Sequence, residues 1–165
     1  MPRMADSHDV TPDDFRAALS HWASGVTIVT AEGPVGMTVS AFASLSLEPP
    51  LITVALARSA YSHDAMVDAP GFAVHILGHD ESDLSTRFSR PGDRFADMEW
   101  EVGRYGSPIL HAGIARLSCA RHAAFDGGDH TILVGRVEQV DVNSDEPVLY
   151  YRGAYRTLVP REDRS

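Results

Sequence analysis

The sequence has 165 residues, 44% of them hydrophobic and 22% charged, which fits a single globular domain rather than a disordered chain. Its formal net charge of −9 disfavours binding to nucleic acid or to an anionic membrane surface, since both are polyanions. All 14 basic residues are arginines. The lack of lysine excludes Schiff-base and pyridoxal-phosphate chemistry and a Walker-type phosphate loop.

The two ends and the single cysteine predict a cytoplasmic protein. We expect a flexible N-terminal tail at residues 1–10, one domain at residues 11–159 and a flexible C-terminal tail at residues 160–165. The first ten residues lack the apolar core of a secretory signal, and no apolar run approaches the roughly 18 residues that span a bilayer. Cys119 has no partner for an intrachain disulfide, which fits a reducing compartment.

The predicted elements begin with an amphipathic helix. Thr11 can cap its N-terminus, and Pro12 suits the first helical position. Four apolar residues follow at helical spacing: Phe15, Ala18, Leu19 and Trp22. This stripe predicts a helix packed on a core, ending at Gly25.

Most of the remaining chain predicts strands. The predicted strands are residues 26–30, 35–47, 51–57, 72–77, 114–125, 130–142, 148–151 and 155–158. Short helices are predicted at 62–67 and 80–88, a loop at 89–97 and a hairpin turn at 126–129. Because strands outnumber helices and do not alternate regularly with them, the pattern predicts a mainly β protein. We expect a closed or split antiparallel β-barrel with a few peripheral helices.

The predicted strand at 35–47 carries different side chains on its two faces, because neighbouring side chains alternate. The face suited to a core consists of Val39, Ala41, Ala43, Leu45 and Leu47. The opposite face consists of Thr38, Ser40, Phe42, Ser44 and Ser46. This row of hydroxyls is either a solvent-facing surface or the floor of a ligand site. It lacks the charged residues that solvent faces usually carry, which weakens the first interpretation.

Several other residues are candidates for chemistry. His130 lies where the hairpin re-enters the sheet, and such a histidine can be structural or functional. A zinc site is disfavoured, because Cys119 and His122 are three residues apart on one strand and point to opposite faces. The aromatic segment 150–155 with its arginine predicts either strand packing or a stacking edge that contacts a pyrophosphate. The dinucleotide glycine motif, the nucleophile elbow and the H-E-x-x-H motif are all absent.

Taken together, seven segments resemble the short-chain flavin reductases. They are residues 15–19, 25–30, 36–50, 72–77, 84–88, 128–130 and 149–153. The most specific are the serine-rich stretch that ends in Pro49-Pro50 and the later Gly128-Asp129-His130. The resemblance runs in order from residue 12 to residue 158, which is nearly the whole chain.

This resemblance implies an FMN-binding split β-barrel, usually a homodimer. Such proteins use NADH, or in some cases NADPH, to reduce FAD or FMN, and the reduced flavin diffuses to a partner monooxygenase. Carried over by position, the residues that line the flavin are Thr38, Ser40, Ser44 and Ser46, with backbone contacts from Met37 and Val39. Those implied near the ribityl phosphate are Ala57, Arg58, Ser59 and Ser62, and those at the far side of the flavin are Arg87 and Phe88. His130 is implied to contact the nicotinamide nucleotide, helped by Tyr151 and Arg152.

The residue types agree with that chemistry. In such an enzyme a hydride passes directly from the nicotinamide ring to the flavin ring, so no protein nucleophile or metal is needed. Two other functions stay open. One is a non-catalytic flavin-binding or electron-carrier barrel. The other is a heme- or pyridoxamine-phosphate-binding barrel, which the lack of lysine makes less favoured.

Overall fold

The structure is a computed structural model and describes residues 9–160. Within this range the helices are α1 (Pro12–Leu19), α2 (His63–Asp68) and α3 (Ser82–Ser89), with one 3-10 turn at Arg104–Gly106. The strands of the same range are β1 (Ser24–Gly25), β2 (Thr27–Ala31), β3 (Val35–Val39), β4 (Phe42–Ser46), β5 (Leu51–Ala57), β6 (Gly71–Ile76), β7 (Trp100–Val102), β8 (Pro108–Leu110), β9 (Ala115–Gly127), β10 (His130–Val142), β11 (Leu149–Tyr151) and β12 (Ala154–Arg156). No described helix is long and apolar enough to cross a membrane. Most of the predicted tails, residues 1–8 and 161–165, lies outside the described residues.

Seven strands form one antiparallel sheet, in the order β3-β2-β6-β9-β10-β5-β4. β3 and β4 are its two edges, although only Ser40 and Ala41 separate them in the chain. In a flat sheet these edges would lie about 29 Å apart at about 4.8 Å per neighbouring pair, too far for a two-residue link. The sheet therefore curls until its edges approach each other. The predicted mainly β fold, an antiparallel split β-barrel with peripheral helices, is confirmed.

The barrel has an inner core and a second core outside it. The inner core includes Val29, Val54 and Leu133, which are 0% exposed. The neighbouring Ile28 faces the other way and joins a cluster with Phe88 of α3 and Leu110 of β8. Because adjacent side chains of a strand point to opposite faces, β2 contributes to both cores. α3 and the small β7–β8 sheet therefore cover the outside of β2.

The prediction that the first helix packs on the core of its own chain is wrong. α1 begins as expected, since the Thr11 side chain accepts a hydrogen bond from the Asp14 N–H at 3.1 Å. It ends at Leu19, however, and buries none of its residues. Phe15 is 59% exposed, and Trp22, which lies beyond the helix, is 77% exposed. Helical spacing identifies an apolar side but not the molecule that covers it.

The prediction of one long strand at 35–47 is also wrong. The chain bends at Ser40–Ala41 and crosses from one edge of the sheet to the other. β4 then pairs with β5 so that Phe42 lies opposite the buried Val54 and points toward the inner core. Of the face predicted to be core, only Val39 is buried. The exposed members are Ala41, Ala43, Leu45 and Leu47.

Candidate functional site

A cavity of about 780 Å³ lies on the outside of the barrel at the split between its edges. Its wall comes from the end of α1, the link between β3 and β4, the outer faces of β4, β5 and β10, and the turn after β11. A volume of this size is in the range of sites for small organic ligands, roughly 300–1,000 Å³. We call this space the α1 cavity.

Small side chains form the floor of the α1 cavity. Ala43 pairs with Thr53, and Ala55 pairs with Ile132. Directly paired residues share a face of the sheet, so these four side chains point away from the inner core, and all four line the cavity. With two alanines on the floor and Ala41 beside them, a planar ring can lie close to the strand backbone.

The rim of the cavity joins α1 to the turn after β11. The Arg152 N–H donates to the Ser20 carbonyl oxygen at 3.0 Å, and Ser24 pairs with Tyr150. Arg152 itself has a φ of 50°, in the left-handed region that non-glycine residues rarely adopt. These contacts fix the turn that carries Arg152 against the C-terminal end of α1, so both elements border one opening.

The charged residues that line the α1 cavity are all cationic. Among the described residues, its lining includes Arg16 and Arg152 and no aspartate or glutamate. The whole chain, by contrast, has 23 acidic residues against 14 basic ones. A local positive charge in an acidic protein favours an anionic ligand at this opening.

His130 lies on the same outer face, just beyond the floor. It pairs with Ala57, whereas Ile132, two residues further along β10, pairs with Ala55. Side chains two residues apart on a strand share a face, so His130 is about 7 Å along the strand from the floor. Its Nδ1 lies 2.7 Å from Asp129 Oδ1. This hydrogen bond is the largest cause of the lowered pKa of Asp129, and the charge of the imidazole is the second. When Nδ1 donates to Asp129, Nε2 of the neutral ring is left as an acceptor.

The structure distributes the predicted flavin residues over several places. Ser40 and Arg152 line the α1 cavity, and Ala57 and His130 continue its outer face. Arg58 lies at the hairpin end of that face, where its guanidinium donates to Asp126 at 2.6 Å and to the Gly128 carbonyl at 3.1 Å. The lining of the α1 cavity does not include Ser44, Ser46, Ser59 or Tyr151.

Other predicted residues have structural contacts in place. Met37 and Val39 belong to the inner core, and the Thr38 hydroxyl donates to the Ser85 carbonyl at 2.6 Å. Arg87 donates to the Arg94 carbonyl at 2.8 Å and to the Ala96 carbonyl, which fastens the loop after α3. Phe88 is 0% exposed and packs edge-on against Phe95, so its ring is surrounded by protein in this structure.

Ser62 lines a second cavity, of about 490 Å³, between the β2–β3 turn and the loop after α3. Arg94 crosses it and donates to the Gly36 carbonyl and, at 3.2 Å, to the Ser62 hydroxyl. Burial lowers the pKa of Arg94. Because this guanidinium is occupied by protein acceptors, its clearest role is to hold the loop.

Sequence reasoning missed Leu19 and Trp22 as residues of the cavity, because it assigned the apolar stripe to a core, and it gave Arg16 no role. It also missed the alanine floor. The available signal was a set of alanines at strand positions where larger packing residues are usual.

Comparisons with known proteins agree on one family. The model of the flavin reductase like domain matches residues 19–159. FMN reductase (NADH) SmoA of Agrobacterium fabrum is 42% identical over 161 residues, with 93% of this chain and 92% of SmoA covered. HsaB of Rhodococcus jostii, the reductase subunit of a flavin-dependent monooxygenase, is 36% identical, with coverages of 92% and 80%. The solved structure of Streptomyces globisporus NADH:FAD oxidoreductase SgcE6, in complex with NAD and FAD fragments, has a TM-score of 0.86 at 33% identity and covers 95% of this chain and 100% of its own.

Proposed function

The chain belongs to the flavin reductase like domain family, and we propose that it is an NADH-dependent flavin reductase that supplies reduced FMN or FAD to a partner monooxygenase. This function is proposed for the α1 cavity because of the cavity's composition: an alanine floor, a rim with two arginines, no lining carboxylate within residues 9–160, and a histidine beyond the floor. The names of the relatives support both the electron donor and the destination of the reduced flavin.

The residues of the α1 cavity fit a flavin and a nicotinamide nucleotide. The nicotinamide supplies a hydride to the flavin N5 without a covalent bond to the protein. The protein has to hold two flat rings face to face at about 3–3.5 Å and exclude water. In this proposal the floor around Ala43 and Ala55 supports one ring, the Ser40 hydroxyl binds its polar edge, and Arg152 binds phosphate.

His130 is proposed as the residue that positions the nicotinamide nucleotide. Its hydrogen bond to Asp129 limits rotation of the ring and leaves Nε2 available to the ligand. The chain at the C-terminal end of β5 runs toward the hairpin turn beside His130. In this proposal its residues Ala57, Arg58 and Ser59 form the outer border of the ligand site. Roles for Ser44, Ser46, Ser62 and Tyr151 rest on the family resemblance alone.

We further propose a homodimer in the cytoplasm. The support for a dimer is α1, which buries no residue although Phe15, Ala18 and Leu19 make one side of it apolar. The support for the compartment is Cys119, a single buried thiol with no intrachain partner.

Steady-state oxidation of NADH, followed by its absorbance, tests the function. We expect added FMN or FAD to stimulate NADH oxidation strongly, with NADH preferred over NADPH. Purified protein that is yellow with tightly bound flavin, yet oxidises NADH no faster when flavin is added, would instead support the non-catalytic flavin carrier.

A further inference from the structure

We infer that Arg16 of α1 binds a nucleotide phosphate across the mouth of the α1 cavity, together with Arg152. The inference rests on the proposed function, since it assigns the class of ligand that the cavity takes. Phosphate is shared by the flavin nucleotides and by NADH. Arg16 therefore binds the phosphate of one of these two substrates, and comparison of FMN, riboflavin and NADH distinguishes them.

Two contacts bring Arg16 and Arg152 to one opening. Ser20 follows Arg16 by four residues, so both lie on the same side of the helix end. The Ser20 carbonyl accepts the hydrogen bond from Arg152 N–H at 3.0 Å, and all three residues line the cavity. The positions of the two arginines are thus set by backbone contacts and not by the chance conformation of two long side chains.

The chemistry of the lining favours a phosphate over other ligands. A guanidinium offers several N–H donors in one plane, which match the oxygens of a phosphate. No lining carboxylate among the described residues competes for these donors. Ser40 adds a hydroxyl to the same lining, whereas the Ser20 hydroxyl donates to the Ala17 carbonyl at 2.7 Å.

In the part of the chain that the structure describes, Arg16 is held by one carboxylate, that of Asp13. The Arg16 Nη2 donates to Asp13 Oδ1 at 2.6 Å, and the two side chains are 74% and 90% exposed. An ion pair this exposed contributes little to stability, and it uses one of the five guanidinium donors. Asp13 lies outside the cavity lining and competes with the ligand for Arg16. Removal of Asp13 and removal of Arg16 should therefore change phosphate affinity in opposite directions.

A purely structural interpretation of Arg16 makes a different prediction. On that view Arg16 only pairs with Asp13 at the helix surface, and its loss affects every ligand slightly and equally. A charge contact to phosphate instead separates FMN from riboflavin, which has the same ring without the phosphate.

The experiment measures equilibrium dissociation constants of FMN, riboflavin and NADH by ligand fluorescence. It compares the wild type with Arg16→Gln, Asp13→Asn and the control Arg121→Gln. Arg121 is an exposed arginine of β9 outside the cavity, so its variant makes the same change in net charge. We expect Arg16→Gln to weaken one phosphate-bearing ligand about tenfold, as for loss of a charge-assisted hydrogen bond. Asp13→Asn should tighten the same ligand, and Arg121→Gln should change it less than about twofold.

The pattern of losses identifies the source of the phosphate. If Arg16→Gln weakens the binding of FMN and leaves the binding of riboflavin and NADH unchanged, Arg16 contacts the flavin phosphate. Weaker NADH with both flavins unchanged assigns it to the pyrophosphate of NADH. Equal weakening of FMN and riboflavin, or no difference between Arg16→Gln and Arg121→Gln, overturns the inference. These measurements need no turnover, so lack of NADH oxidation by the wild type would contradict the proposed function and not the role of Arg16.

Discussion

His130 is the residue of the proposed site whose role is most easily separated from the fold. Its side chain is 41% exposed and is held by Asp129 at the end of the hairpin. We expect His130→Ala to raise the KM for NADH about tenfold and the KM for flavin much less, because its proposed contact is to the nicotinamide nucleotide. His122→Ala, at an exposed position of β9, is the matched control. If both KM values rise equally in steady-state assays, His130 is structural.

His75 predicts how stability depends on pH. It is 0% exposed; its Nδ1 donates to the Ile28 carbonyl at 3.3 Å, and its Nε2 accepts from the Leu110 N–H at 3.1 Å. Burial lowers the pKa of His75 to about 4, although the hydrogen bond to the Ile28 carbonyl acts to raise it. The same histidine has a pKa of about 6.5 in the unfolded chain. Between about pH 4 and pH 6.5 the unfolded chain therefore binds a proton that the folded chain does not.

The contribution of the neutral, buried His75 to the free energy of unfolding is fully present above pH 6.5. It is lost as the pH falls toward 4. The loss amounts to roughly 3 kcal/mol at about 1.4 kcal/mol per pKa unit. Urea unfolding measured between pH 4 and pH 8 should show this decline in the wild type and a flatter profile in His75→Gln. The variant should be less stable at pH 8, because β6 loses its contacts to β2 and β8. Parallel profiles in the two proteins would exclude His75 as the cause.

At the scale of the elements, the outer face of β4, β5 and β10 is expected to depend on its small side chains. Ala55→Leu adds bulk to the cavity floor and points away from the inner core. We expect it to weaken flavin binding about tenfold or more while the unfolding midpoint changes little. Ala96→Leu, at an exposed position outside both cavities, is the control. Unchanged flavin affinity in Ala55→Leu would place the ring elsewhere.

The strands that the sequence predicts best have strong signals at both ends. β5 and β10 match the predicted residues 51–57 and 130–142, because Pro50 precedes the first and a glycine turn precedes the second. Gly128 has a φ of 76°, the left-handed conformation that the hairpin turn requires. Each of these signals acts within a few residues of the strand that it bounds, so it can be read from the sequence.

The bend at Ser40–Ala41 had no such signal. The alternation of apolar and polar residues continues across it, so the sequence predicts one strand where the barrel has two edges. β7 and β8 were missed because three residues show no periodicity. The same distinction between local sequence signals and long-range strand pairing applies to the candidate site. Ser40 and His130 are predicted from local pattern and lie in or beside the cavity, whereas the alanine floor depends on a register between strands far apart in sequence.

At the scale of the whole molecule, the apolar side of α1 and the α1 cavity are neighbours. Leu19 lines the cavity, while Phe15, one turn earlier, lies outside it and is 59% exposed. A second copy that covers Phe15 would also cover part of the cavity mouth. Where the second copy extends the cavity wall, a ligand that contacts both copies binds the dimer more tightly, so dimerisation and ligand binding stabilise each other.

Phe15→Ser tests this link, since it removes an aromatic ring from the proposed interface without touching the cavity lining. We expect the dimer dissociation constant, measured by sedimentation, to rise about tenfold or more, as for an aromatic anchor. Val102→Ser, at a 73% exposed position of β7, should leave it unchanged. Saturating FMN should shift the Phe15→Ser variant back toward the dimer. A wild type that stays monomeric at micromolar concentrations, or equal effects of both variants, would show that α1 is not the interface.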